Sequence, residues 1–239
     1  MTHIMRRGLL IVFTGPVGVG KSTIIRNLMI FYRKSGIKTL PIYVKAFHGT
    51  SYLIWKLTSK ILFRKSFIAR RMAPWYLIGK AYPYVSVILV RLSLFLDVTL
   101  ELPLRIIIIN ILRKFGFNIF SEEFLHSALL DYMFTFRHTE KSRMIKTFLD
   151  MLLRYIKKCQ PDIVVYLYAD IKELKRRWHH RGYGDPQLEY VLYQIAFHES
   201  LSTLIQNSHI IRINTNSLNV TNTLTNILKI MIFGYGGTK

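Results

Sequence analysis

Nine residues near the start of the chain, Gly15-Pro16-Val17-Gly18-Val19-Gly20-Lys21-Ser22-Thr23, combine three glycines with a lysine and two adjacent hydroxyls. They match G-x-x-x-x-G-K-[ST], the P-loop pattern. The chemistry those residue types support is phosphate binding. Glycines let the backbone curl until successive N–H groups point at a β-phosphate, and a helix starting at the lysine adds its positive dipole end. In this arrangement Lys21 bridges the β- and γ-phosphates of ATP or GTP. Ser22 supplies a hydroxyl to Mg²⁺, a cation that takes oxygen ligands. Gly15, Gly18, Val19, Gly20, Lys21, Ser22 and Thr23 form the expected nucleotide cradle.

The pattern needs a strand before it and a helix after it, and the flanking sequence provides both. Five apolar runs rich in β-branched or aromatic residues read as buried parallel strands: residues 9–14, 39–46, 117–122, 163–168 and 209–214. Helical patterns cover 21–35, 139–159, 171–181, 186–206 and 220–233, with apolar residues three and four apart. This alternation implies an α/β doubly wound sheet in a single domain spanning 1–239. About seventy residues separate the second and third runs, more than a crossover requires, and predict a helical lobe over about 50–116. In that lobe Leu53, Leu57 and Ile61 share one helical face and Lys56, Lys60 and Arg64 another.

The loop GPVGVGKST, the stretch PDIVVYLYADIKELKRRWHHRGYGDPQLE and the closing HIIRINTNSLNVTNTLTNIL resemble, in order and spacing, thymidylate kinase-like proteins of the nucleoside monophosphate kinase superfamily. The resemblance spans most of the chain. It implies a three-layer P-loop fold with a five-stranded parallel sheet in the order 2-3-1-4-5. It also implies ATP- and Mg²⁺-dependent phosphoryl transfer to a nucleoside monophosphate such as dTMP, or to a related small phosphorylated acceptor. Arg177 and Arg181-Gly182 stand where the family carries two arginines of a lid, here about 177–187. Such arginines stabilise charge on the transferring phosphoryl group when closed over it. Asn214, Thr215 and Asn216 match the loop that contacts the adenine base. Glu122 stands in place of the aspartate ending the third strand, where it holds Mg²⁺ or accepts a proton.

Two departures from the family bear on the acceptor. Glu123 replaces an arginine expected to clamp an acceptor phosphate, which reverses the charge there. The second strand ends Tyr43-Val44-Lys45-Ala46-Phe47-His48-Gly49-Thr50, without the acidic-then-proline motif, and no acidic residue precedes Asp97. Lys45 is then a candidate contact for an acceptor phosphate, His48 a candidate base, and Phe124 and Tyr132 candidate rings for an acceptor base. Two alternatives stay open: a P-loop ATPase or nucleotide switch without an acceptor site, and a nucleic-acid or membrane-surface binding protein with a regulatory nucleotide pocket.

The charge distribution motivates the last alternative. The net charge is +21, and residues 1–96 hold sixteen Lys or Arg and no Asp or Glu. Such a field favours polyanions, anionic lipid or phosphorylated substrates. Trp55, Phe63, Phe67 and Trp75 are the rings expected to enter a lipid interface. A homodimer is compatible with the sequence. One cysteine, Cys159, excludes an intrachain disulfide and points to a cytoplasmic protein, peripheral at the membrane surface if the basic lobe docks there. Arg91, Asp97, Glu101 and Arg105 interrupt the most apolar region and argue against a spanning helix. The final GYGGTK is expected to fray.

Overall fold

Leu10–Thr14 forms β1, buried along its whole length because both faces of this apolar run are covered. The computed structural model describes residues 7–63, 74–137, 142–181, 188–216, 224–225 and 227–228. Around β1 the strands β2 (Thr39–Tyr43), β3 (Asn118–Glu122), β4 (Ile163–Tyr168) and β5 (His209–Asn214) make one parallel sheet in the order β2-β3-β1-β4-β5. The central strands are almost wholly buried, whereas the edge strands alternate between covered and open positions. This is a three-layer α/β P-loop fold. β2 stops at Tyr43, three residues before its apolar run ends, because Tyr43 pairs with Glu122 and β3 goes no further.

The chain divides into two compact units. The first comprises Met1–Tyr43, Ile109–Phe124 and Cys159–Lys239. It holds the sheet, α1 (Lys21–Lys34), α8 (Ile171–His180), α9 (Leu188–Glu199) and the short α10 (Leu201–Leu204). Its core joins Ile11, Phe13, Phe120 and Val165 of the sheet to Ile24 and Leu28 of α1. The start of β1 is tied down by Arg113, whose guanidinium donates to the Gly8 carbonyl at 3.0 Å and meets Asp162 at 2.5 Å.

The second unit comprises Val44–Ile108 and Leu125–Lys158. It contains α2 (Thr50–Leu62), α3 (Pro74–Ala81), α4 (Pro83–Leu96), the start of α5 (Leu102–Lys114), α6 (Leu125–Thr135) and α7 (Arg143–Lys158). A π-helical turn, Asp97–Glu101, links α4 to α5. Asp97, buried in that turn, accepts hydrogen bonds from Phe47 N at 2.9 Å, Ser51 Oγ at 2.5 Å and Tyr132 OH at 2.6 Å. Burial raises its carboxyl pKa, while those three donors oppose the rise. Asp97 therefore gathers three chain segments around one acceptor.

α2 sits in this unit with an orientation that its apolar spacing did not suggest. Ser51, Trp55 and Ser59 face inward, and Trp55 Nε1 donates to Ser93 Oγ of α4 at 2.8 Å. Leu53, Leu57 and Ile61 face outward and are 56%, 60% and 71% exposed. Trp55, expected as an interface ring, is a core residue instead. Small serines let α2 and α4 approach, and the indole fills the space between them. The lobe segment 64–73, including Arg64 and Phe67, lies outside the described residues, as do the lid segment 182–187 and most of the helix expected at 220–233.

Candidate functional site

The site is built where β1 ends and α1 begins. Gly15, at φ 141°, passes so close to β4 that a Cβ would lie 2.1 Å from the Leu167 carbonyl oxygen. Gly20, at φ 103°, turns the chain into α1 from a left-handed conformation that only glycine adopts cheaply. No side chain caps α1 and its first turn holds no acid, so the amides at its N-terminus are left to bind an anion. The loop is braced from behind by α8 and α9. Trp178 Nε1 donates to the Val17 carbonyl at 3.2 Å, and Val17 N donates to Gln194 Oε1 at 3.2 Å.

Lys21, the first residue of α1, is buried and folds back over the loop. Its Nζ donates to the carbonyls of Gly15 at 2.6 Å and Pro16 at 3.1 Å and pairs with Glu123 Oε1 at 2.9 Å. Ser22 follows on the open side and donates to Glu122 Oε1 at 2.8 Å. Thr23 is half-buried, its carbonyl accepting from Asn27 Nδ2 at 2.9 Å. An open cleft of about 500 Å³ runs along α1 from Ser22 and Glu122 past Arg26 to Arg33. Two hard oxygen donors at its end fit Mg²⁺, which needs few protein ligands and keeps several waters. Among the described residues there is no cluster of three or more His, Cys, Asp or Glu for a metal held by protein alone.

Glu123 is not a solvated strand end. Only 4% exposed, it takes a left-handed backbone, φ 64°, directly after β3. Glu123 N donates to the Phe13 carbonyl at 3.0 Å, and Ser121 Oγ donates to the Glu123 carbonyl at 2.5 Å. Its Oε2 accepts from Thr14 Oγ1 at 3.2 Å, and that hydroxyl also lies 3.4 Å from His198 Nε2. Thr14, Gln194 and His198 were not singled out from the sequence. The available signal was a polar pair on the buried face of a helix: Val191, Gln194 and His198 fall three and four apart on α9.

Arg177 reaches the loop from α8. Its guanidinium donates to the carbonyl of Val19 at 3.4 Å, to Thr215 Oγ1 at 3.3 Å and to the Thr215 carbonyl. Glu173 holds the other edge through Arg177 Nε at 2.7 Å. Hydrogen bonds from Arg176, and then Arg177, pull the Glu173 carboxyl down to about 2. Thr215 is buried against Tyr168 of β4. Asn214 accepts from Asn216 N at 2.9 Å, and Asn216 in turn binds Asp170. Arg181 ends α8 with an exposed side chain, and Gly182 lies outside the described residues.

The first unit thus brings together Gly15–Thr23, Glu122, Glu123, Arg177 and Thr215. Phe124 belongs to it as a buried side chain. Lys45, His48 and Tyr132 belong to the second unit. Lys45 Nζ lies 3.8 Å from Asp131 Oδ2. Tyr132 is fully buried, its hydroxyl on Asp97 and its ring centroid 4.9 Å from that of Phe47. His48 Nδ1 lies 2.7 Å from the Ala46 carbonyl, and because a carbonyl only accepts, Nδ1 carries the proton. Burial lowers the His48 pKa, the hydrogen bond to Ala46 opposes that shift, and the charges of Lys45 and Arg105 add to it.

A solved structure of the thymidylate kinase from Candida albicans, described as having broad substrate specificity, superposes with a TM-score of 0.52. The match covers 95% of this chain and 92% of that one at 16% sequence identity. The fold is P-loop kinase-like. No protein-family model and no curated protein matches the sequence. At this identity the likeness carries the fold, and the chemistry rests on the residues assembled around Lys21.

Proposed function

We propose that this chain transfers the terminal phosphoryl group of ATP or GTP, with Mg²⁺, to a small phosphorylated acceptor of the nucleoside monophosphate type. The observation that carries the reading is the assembly of Lys21, Ser22 and Glu122 at an uncapped helix N-terminus. In use, Lys21 exchanges its loop carbonyls for phosphate oxygens, and the α1 amides hold the β-phosphate. Ser22 and Glu122 are the residues to hold Mg²⁺, which neutralises charge on the leaving phosphate when bound. Arg177 fixes the back of the loop, and Arg181 is free to reach the transferring group from the end of α8. The neighbour's activity on a nucleotide favours a nucleotide acceptor. The test is a screen of nucleosides, nucleoside monophosphates and sugar phosphates with γ-labelled ATP. Label that reaches none of them would remove the acceptor from the reading.

A second reading concerns a partner, and the inverted face of α2 favours it. Leu53, Leu57 and Ile61 of α2 are exposed. So are Tyr84, Ile88, Leu92 and Phe95 of α4, spaced along one stripe that includes Arg91. The charged residues within these two helices, Lys56, Lys60 and Arg91, are all cationic, as the acid-free first 96 residues require. Among the described residues no helix is long and apolar enough to cross a membrane. Exposed apolar side chains interspersed with cations fit the surface of an anionic bilayer. Flotation with anionic and zwitterionic vesicles tests it, with equal recovery from both or from neither as the refuting result.

A further inference from the structure

The buried carboxylate of Glu123 is costly to place. A left-handed, non-glycine backbone costs on the order of 1–3 kcal/mol, and burying a carboxylate adds a desolvation penalty. The chain nevertheless fixes this residue by two backbone bonds, a hydroxyl from Thr14 and the amine of Lys21. Its neighbour Glu122 turns the opposite way to Ser22. The two carboxylates are therefore divided between the hydroxyl of Ser22 and the amine of Lys21.

Occupation of the loop changes the surroundings of Glu123. When Lys21 moves onto phosphate oxygens, the Glu123 carboxylate gives up that ion pair and faces a polyanion. A carboxylate and a phosphate side by side repel unless a proton donor lies between them. A water molecule meets both demands, donating a proton to the carboxylate while its oxygen lone pair faces the γ-phosphorus.

We propose that Glu123 is a catalytic base and that the chain hydrolyses nucleoside triphosphate in the absence of an acceptor. The water oxygen forms a bond to the γ-phosphorus, and the bond from that phosphorus to the β–γ bridging oxygen breaks. The electron pair leaves on the nucleoside diphosphate, and the water proton passes to the Glu123 carboxylate. The products are nucleoside diphosphate and inorganic phosphate. The same carboxylate pairs with Lys21, whose amine also holds the loop carbonyls of Gly15 and Pro16. The inference rests on the donor-site reading above.

The experiment measures phosphate release from ATP without acceptor, alongside binding of a fluorescent ATP analogue, for wild type, Glu123→Gln and Glu123→Asp. Wild type is expected to release phosphate. Glu123→Gln should lower the rate by about 100-fold or more, the usual worth of a general base. Its nucleotide affinity should be unchanged or tighter, because Lys21 has lost a competing partner, and the bound nucleotide should remain triphosphate. Glu123→Asp, which keeps the charge but withdraws it by one methylene, should fall between the two and serves if the glutamine variant does not fold. Wild-type ATP binding without phosphate release, or a Glu123→Gln rate equal to wild type, overturns the inference and leaves the donor site standing. No nucleotide binding by wild type removes the donor site and the inference together.

Discussion

Lys21 and Glu123 form a buried ion pair of 2.9 Å at the first turn of α1. An arginine in place of Glu123 would set two cations against each other there, so the loop of this chain is built around a carboxylate. The pair changes what substitution of the lysine does. Lys21→Ala is expected to abolish ATP-dependent chemistry, and it also leaves a buried carboxylate without its cation. Removing one partner of a buried pair costs roughly 3–5 kcal/mol. Chemical denaturation should show that loss in Lys21→Ala and its recovery in Lys21→Ala with Glu123→Gln, while activity stays absent in both. Equal stability of all three proteins would mean that the pair is not formed in solution.

Arg177, within α8, and Arg181, which caps its C-terminus, should separate in their effects. Arg177 donates to Val19, to Thr215 and to Glu173, and so acts as a brace between α8, the loop and the end of β5. Arg177→Ala should lower stability by about 1.5–3 kcal/mol, the range for hydrogen bonds to a charged group, and weaken nucleotide binding. Lysine should not restore it, since one ammonium cannot replace a fork of donors. Arg181, exposed at the helix end, should tolerate alanine without loss of Tm, and any effect should fall on kcat. Unchanged stability in Arg177→Ala would show that the brace is dispensable.

Much of the sheet could be read from the sequence because buried parallel strands are continuous apolar runs, and β4 and β5 have the bounds that their residues suggest. The loop was legible because phosphate binding leaves few choices of residue. The facing of α2 was not. Periodicity finds a stripe but does not say whether the stripe meets core or solvent, and here a tryptophan between two serines fills the core better than leucines do. The partner of Lys21 was hidden by distance along the chain. One clue existed: with no acid before Asp97, any carboxylate on Lys21 had to arrive from the later strands, and Glu122-Glu123 ends the strand beside β1.

His48 gives a prediction independent of nucleotide. Its folded pKa lies below 6.5, so the unfolded chain binds the proton more readily and the neutral ring favours folding. That contribution is complete above the ordinary histidine value and is lost as the pH falls from there through the lowered value. Nitrogen NMR should report the tautomer protonated at Nδ1 and a midpoint below 6.5. In His48→Gln this part of the acid dependence of stability should vanish. A midpoint at or above the ordinary value would contradict the burial of the ring.

The exposed apolar stripes of α2 and α4 predict how association should depend on salt and on apolar contact. If the face meets an anionic bilayer, Lys56 and Lys60 each contribute about 1 kcal/mol through headgroup charge, an amount that screening removes. Leu57, Ile61 and Ile88 contribute by leaving water, about 1.5–3 kcal/mol each if fully buried, an amount that salt does not remove. Reversal of Lys56 and Lys60 to glutamate should therefore abolish binding to anionic vesicles at low salt. Leu57→Gln with Ile88→Gln should weaken it at every salt concentration. Neither change should alter ATP binding at Lys21, because the two sites use different groups. Sedimentation velocity on the same proteins distinguishes the competing occupant. A wild-type dimer that Leu57→Gln with Ile88→Gln converts to monomer, with no vesicle binding by either protein, would assign the face to a second copy of the chain and refute the lipid surface.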